Sequence, residues 1–286
     1  MNILNFGSLN IDLVYQVEHI ARPGETIASS THQVFAGGKG ANQSAALARA
    51  GAHVFHAGQV GPDGQWLVDK LAGLGVDVQH IRVGDVPTGH AIIQVDRRGQ
   101  NSIVLFAGAN AQIDRASIDA ALSRFDRGDI LLLQNEINDV SYIIAAAAER
   151  GLTICLNPAP FGPQVRAYPL ELVDLLIVNE TEATGLAGAS TLAALAALCP
   201  HAQIALTLGA AGVQYRSPTE EFHLPAPQVE AIDTTGAGDT FIGYFLHGLT
   251  ADMTARDAMT RAVQAAALCV TRPGAMDSIP AADEID

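Results

Sequence analysis

The sequence runs to 286 residues, 49% of them hydrophobic, with a formal net charge of −14 at neutral pH. A chain of that length forms one large α/β domain or two small ones, and its apolar content excludes disorder. A surface this acidic repels nucleic acid and anionic lipid, so an anionic ligand has to be held locally, by backbone amides or a metal ion.

The opening "MNILNFGSLNID" lacks the basic segment and long apolar core of a signal peptide, and no uninterrupted apolar run reaches the roughly 18 residues of a membrane helix. A soluble, cytoplasmic protein is expected, with neither membrane nor nucleic acid as a partner. Cys155, Cys199 and Cys269 are widely spaced without a C-x-x-C pair, which predicts buried, inert thiols in a reducing compartment. The nine histidines form no metal-binding pattern and are expected to be surface or core residues.

In chain order, the first third alternates polar and apolar residues in "NFGSLNIDLVYQVEHI", "ETIASSTHQVFA", "GHAIIQVDRRGQ" and "NSIVLF", with "RRGQ" as a hairpin turn. These read as strands of a small antiparallel sheet, lying roughly within 10–36 and 88–107, with helices at about 40–50 and 64–73 between them. Trp66 on the second of these helices is expected to be a packing residue. Such a sheet, inserted into an α/β body, suggests a lid over a cleft.

From about residue 129 the pattern becomes strand–helix alternation: "DILLLQN", "VSYIIAAAAERG", "LTICLNPAP", "VDLLIVNETEA" and "AQIALTLGAAG". Strands apolar on both faces predict a mostly parallel sheet covered by helices, an α/β/α body. Ligands of such sheets bind at the carboxyl ends of the strands, where "LQNE", "LNPAP", "VNETE" and "TLGAAG" all fall. No linker or repeat interrupts the chain, so residues 1–286 read as a single domain with a lid.

Four stretches carry chemistry. In "FAGGKGANQSAALARAG" a glycine follows Lys39, so this is not a Walker A loop; nor is it a G-x-G-x-x-G fingerprint, and a nicotinamide oxidoreductase is excluded. It is either a glycine-rich helix entry, or a place where Gly37 and Gly38 admit a polyhydroxy ligand to the backbone beside Lys39 and Asn42. "VNETE" places Asn179 and Glu182 one helical turn apart, as a capping box or as partners of a hydrated Mg²⁺. "TLGAAGV", from Thr207 through Leu208, Gly209, Ala210, Ala211 and Gly212, is a turn into the hairpin "VQYRS"/"EEFHL", or a shelf for a nucleotide. "DTTGAGDTF" is a tight turn with a helix-capping aspartate, or an anion hole. In the second case amides of Gly236, Ala237 and Gly238 at a helix start hold the anion, and Asp239 accepts a proton from an attacking hydroxyl.

Together, "GSLNID", "PGET", "GGKGANQ", "AGAN", "LNPAP", "NETEA", "TLGAAGV", "DTTGAGDTF" and "VTRPGAMDSIP" resemble, in order, the ribokinase/PfkB family of sugar and nucleoside kinases. The resemblance implies a ribokinase-like three-layer fold and ATP-dependent phosphorylation of D-ribose at O5. It implies that Asn10, Asp12, Gly38, Lys39, Asn42 and Glu136 bind the sugar, and that Asp239 is the base beside the Gly236–Gly238 hole. Asn179 and Thr207 to Gly212 would serve the nucleotide, and Glu182 the Mg²⁺ through water. A monovalent cation, usually K⁺, would be held by Asp233, Thr235, Ser278 and the carbonyls of Cys269, Arg272 and Gly274. The resemblance, and the exposed edges of the lid, also imply a homodimer through the lids. Phe106, Ile242, Tyr244 and the short ending "AADEID" depart from the family's usual pattern and bear on substrate identity. The alternative is a sister kinase for another pentose, a deoxysugar or a nucleoside; a non-catalytic sugar-binding protein is the reading from another class.

Overall fold

Short apolar runs bounded by Gly, Asn and Asp form the strands, and alanine-rich segments ending in glycine form the helices. The structure, a computed structural model, describes residues 1–285. Nine strands form the main sheet: β1 Ile3–Phe6, β4 Val54–Val60, β5 Asp77–Val83, β8 Ile130–Leu133, β9 Thr153–Leu156, β10 Leu175–Asn179, β11 Gln203–Thr207, β12 Val213–Arg216 and β13 Glu221–Leu224. Their order is β13-β12-β11-β10-β9-β8-β1-β4-β5, parallel from β11 to β5 and antiparallel at the β11/β12/β13 edge.

The central strands are buried on both faces, and their side chains alternate between two cores. Ile130 and Leu132 of β8 enter one core, with α1 Lys39–Ala50, α2 Gln65–Gly73, α7 Ala237–Thr250 and α8 Ala255–Cys269. Leu131 and Leu133 enter the other, with α3 Arg115–Leu122, α4 Val140–Arg150, α5 Glu180–Ala187 and α6 Leu192–Leu198. The three expected layers follow from this alternation. All three cysteines are buried and free. Trp66, expected to be a packing residue, is 38% exposed on α2.

The lid is a second sheet of β2 Asn10–Val17, β3 Ser29–Gly37, β6 Gly89–Val95 and β7 Asn101–Phe106, in the order β3-β2-β6-β7. The β6–β7 turn is the expected hairpin, its amides at Arg98 and Gln100 donating to the Asp96 carboxylate. The sheet is mixed rather than wholly antiparallel, because β2 and β6 run parallel. The chain leaves the lid after β3, passes through α1, β4, α2 and β5, and re-enters in the direction of β2. Ala91 and Ile93 of β6 and Ile103 and Leu105 of β7 face inward over the carboxyl ends of the main strands.

Candidate active site

Between lid and sheet lies a cleft of about 610 Å³ that collects the ends of β8 to β11 and the starts of α1 and α7. It is lined by Asn10, Asp12, Gly38, Lys39, Asn42 and Glu136 on the lid side, and by Asn179, Glu182, Thr207, Gly236, Gly238 and Asp239 below. A second cavity of about 350 Å³ adjoins it through Thr207, Thr234 and Gly238, and is walled by apolar residues such as Val229, Phe241, Val263 and Val270.

The floor is made by the entry to α7. Gly236 adopts a left-handed conformation (φ 80°) and a Cβ there would press on the Ala275 backbone at 3.1 Å, so only glycine makes this turn. No side chain caps α7, and nothing lies within 4 Å of where a Gly238 Cβ would be. The helix start therefore presents amides and its dipole to open space, the requirement for holding an anion. Asp239 follows, buried, with Oδ1 accepting from Gln43 Nε2 at 2.9 Å and Oδ2 from Asn42 Nδ2 at 3.2 Å.

Around it stand Asp12, Glu136 and Glu182, and Lys39 is the only basic residue lining either cavity among the described residues. Asp239, with Glu136 and Glu182 behind it, holds the Lys39 ammonium firmly protonated despite burial. Burial, with Glu136 adding to it, pushes the Asp12 carboxyl up to about 7; burial likewise raises Glu136 and Glu182. A polyphosphate entering this acidic cleft needs Lys39, backbone amides and a divalent cation to offset repulsion.

Several groups are already engaged. Glu136 Oε2 accepts from Ser8 Oγ and from the Lys39 amide, tying the end of β8 to the start of α1. Asn10 Oδ1 accepts from Asn110 Nδ2 of the "AGAN" segment. Asn42 Oδ1 is buried without a partner, an acceptor open to a ligand hydroxyl. Asn179 and Glu182 form a complete capping box: Glu182 accepts from the Asn179 amide and Nδ2, and donates its own amide to Asn179 Oδ1. Both Glu182 oxygens carry donors, so this carboxylate suits a hydrated ion rather than direct coordination.

Of the expected nucleotide shelf, Thr207, Gly209, Ala210 and Gly212 line the second cavity. Gly212 (φ 96°) is confined against Leu224 O, where a Cβ would come within 2.0 Å. Leu208 and Ala211 turn away: Leu208 packs on a hydrophobic core, and the Ala211 carbonyl accepts from His223.

The segments expected to hold a monovalent cation are brought together beside the α7 turn. The Ile232 and Asp233 amides donate to Val270 O, and Asp233 accepts from the Thr235 and Gly274 amides. Ser278 is buried, donating to Ala275 O and meeting Cys269 Sγ, while the Arg272 guanidinium points away to Glu284. One carboxylate, one hydroxyl and several carbonyls suit a weakly hydrated monovalent ion, and no cluster of three His, Cys, Asp or Glu suited to zinc occurs among the described residues.

The family pattern of the pfkB family carbohydrate kinases matches residues 2–282. This chain belongs to that family. Ribokinase of Haemophilus influenzae is 37% identical, over 97% of this chain and 95% of its own. The structure superposes on ribokinase from Cryptococcus neoformans var. grubii in complex with ADP (TM-score 0.87, 36% identity, covering 99% and 98% of the two chains). It superposes equally on Arabidopsis thaliana ribokinase complexed with ribose and ATP (TM-score 0.87, 30% identity, covering 99% and 96%). The chain is thus a pfkB-family kinase, with a lid, cleft and helix-start turn arranged as one site.

Reading the sequence of this pfkB kinase missed three participants. The apolar ceiling of Ala91, Ile93, Ile103 and Leu105 was visible as alternation but not as cleft lining. Asn157 of "LNPAP" and Gln43 of "GGKGANQ" sat inside quoted motifs, yet nothing local marks their hydrogen bond to one another at 3.1 Å. Phe106 lies on the outer face of the lid against the His90 ring, centroids 5.0 Å apart. Ile242 does line the cleft, whereas Tyr244 is buried beneath it, donating to Pro280 O.

Proposed function

We propose that this kinase transfers the γ-phosphoryl group of ATP to the 5-hydroxyl of D-ribose, giving D-ribose 5-phosphate and ADP. The observation that carries the reading is the position of Asp239. It sits at the uncapped start of α7 in the wall of the larger cleft, next to Gly238, one of the residues through which the apolar cavity adjoins it. Asn10, Asp12, Gly38, Lys39, Asn42 and Glu136 would bind and orient the sugar hydroxyls, with the lid above excluding water. Asp239 would take the proton of the acceptor hydroxyl as its oxygen attacks the γ-phosphorus and ADP leaves. The amides of Gly236, Ala237 and Gly238 would stabilise the charge on the transferring group.

Asn179, Thr207, Gly209, Ala210 and Gly212 would position the nucleotide. Magnesium, held through water by Glu182, would neutralise phosphate charge. A potassium ion between the 233–235 and 269–278 segments would keep the α7 turn in shape. That turn is anchored to the second segment by the Gly274–Asp233 bond, which supports this coupling.

The outer face of the lid supports a homodimer. Its register places Val34, Leu13, Ile92 and Val104 in one apolar row across the four strands, with Val34 50%, Ile92 40% and Val104 64% exposed. Covering that row with a second copy removes it from water. No helix is long and apolar enough to cross a membrane among the described residues, and three free thiols fit a reducing, cytoplasmic setting.

The test is ADP release with ATP, Mg²⁺ and D-ribose, with K⁺ present or replaced by a large organic cation. Ribose-dependent turnover that rises with K⁺ is the expected result. Silence on ribose would sink the substrate assignment. Ile242 in the cleft favours the second reading, a kinase for another pentose, a deoxysugar or a nucleoside, and the same assay on a substrate panel separates the two.

A further inference from the structure

Asp239 is held from behind as well as from the cleft. Asn42 lines the cleft and donates to Oδ2, which marks that oxygen as the cleft-side one. Oδ1 is bound instead by Gln43, the next residue of α1, which is fully buried and absent from the lining of both cavities. We propose that Gln43 is a positioning residue for phosphoryl transfer: its amide, locked in a single orientation by a chain of buried side chains, fixes the Asp239 carboxylate so that Oδ2 faces the acceptor hydroxyl. This rests on the reading of Asp239 as the general base.

The lock follows from donor and acceptor counting. A backbone carbonyl can only accept, and three of them close the chain. At one end His56 Nε2 meets Gly7 O, so that nitrogen carries the proton and Nδ1 must accept, which it does from Ser44 Oγ. Ser44 Oγ therefore accepts from Asn5 Nδ2, whose other hydrogen goes to Gly40 O. Asn5 Oδ1 is then the acceptor for Gln134 Nε2, at 2.9 Å, and Gln134 gives its second hydrogen to Gln43 Oε1, at 2.6 Å.

The other end gives the same answer. Asn157 Nδ2 donates to Ile177 O, so Asn157 Oδ1 has to accept from Gln43 Nε2. Gln43 thus has its carbonyl claimed by one strand end and one hydrogen claimed by another. The remaining hydrogen is left for Asp239 alone, and a flipped amide would break bonds on both sides. Burial keeps the His56 ring neutral by pushing it down to about 4, so the chain holds its direction across the working pH range. The charged groups that share the cleft with Asp239 are Asp12 of β2, Lys39 of α1, Glu136 after β8 and Glu182 of α5; none of them substitutes for a fixed donor on Oδ1.

Gln43→Met keeps the length of the side chain and removes its hydrogen bonds. The expected result is a kcat roughly 10- to 100-fold lower, the scale of a small misplacement of a reacting group. KM for D-ribose and for ATP should stay within about threefold of wild type, since Gln43 touches neither. In an Asp239→Asn background the same change should cost no more than about a further twofold, because groups that act as a unit are not additive. An unchanged kcat in Gln43→Met, a loss expressed in KM, or a full additional loss in the double variant would each overturn the role of Gln43 while leaving an inactive Asp239→Asn intact. Near-normal turnover of Asp239→Asn would overturn the base assignment itself, and with it this inference. If Gln43→Met does not accumulate as folded protein, Gln134→Met carries the same measurements, since Gln134 lines neither cavity and its loss removes the donor that holds the Gln43 carbonyl.

Discussion

A carboxylate beside a turn that would bind an anion is electrostatically unfavourable, and Asp239 occupies that position with both oxygens hydrogen-bonded by amide side chains. Its replacement by Asn removes the proposed proton acceptor with little change of shape. Asp239→Asn is expected to lower kcat by about 10²–10⁴-fold, the usual worth of general-base catalysis, in a steady-state assay with D-ribose. Asp12 gives a second residue-scale expectation. Its carboxyl is raised from 3.8 to about 7, mainly by burial, so the folded protein binds this proton more tightly than the unfolded chain. The stability contributed by Asp12 is therefore fully present at low pH and lost as pH rises through about 7. Sugar binding has the opposite sense if the ionised carboxylate accepts hydroxyl hydrogens. KM for D-ribose should rise roughly tenfold between pH 8 and pH 6, and Asp12→Asn should flatten that dependence; a slope that survives in the variant would point to another group.

At the scale of elements, the site depends on how closely α1 approaches the turn between β1 and β2. The Gly40 amide donates to Ser8 Oγ, its carbonyl accepts from Asn5, and a Cβ on it would come within 2.4 Å of the Ser8 nitrogen and 2.6 Å of Gly7 Cα. Those neighbours are backbone and cannot move aside. Gly40→Ala should destabilise the fold by about 1–3 kcal/mol, the cost of overpacking, read as a lower denaturant midpoint at unchanged m-value. The same substitution pushes Lys39 and Asn42 out of the cleft, so kcat/KM should fall as well. The capping box of α5 works in the other direction. It was legible as a four-residue pattern, and the structure keeps it intact with both of its residues lining the cleft.

At the scale of the whole molecule, the lid presents one face to the cleft and an apolar row to solvent. Val104→Lys places a charge at the β7 end of that row without touching the cleft side of β7. The wild-type protein is expected to scatter light as a dimer at micromolar concentration and the variant as a monomer; a monomeric wild type would remove the dimer from the proposal. The sequence by itself determined the layered body, the helix and strand boundaries near Lys39, Gln65 and Asn179, and the motifs carrying Asp239 and Gly236. These are set by local rules: side-chain period, caps, and the torsions that only glycine adopts. Only the tertiary structure decided that β2 and β6 run parallel, that Phe106 lies on the outer face of the lid, and that Leu208 and Ala211 lie off the lining of the second cavity. It alone revealed the amide chain from His56 to Asp239, because hydrogen bonds between residues as distant as Gln43 and Asp239 leave no periodic trace along the chain. Which polar side chains meet depends on the closure of the sheet and its helices, and burial in a low-dielectric interior then forces each of them to find a partner.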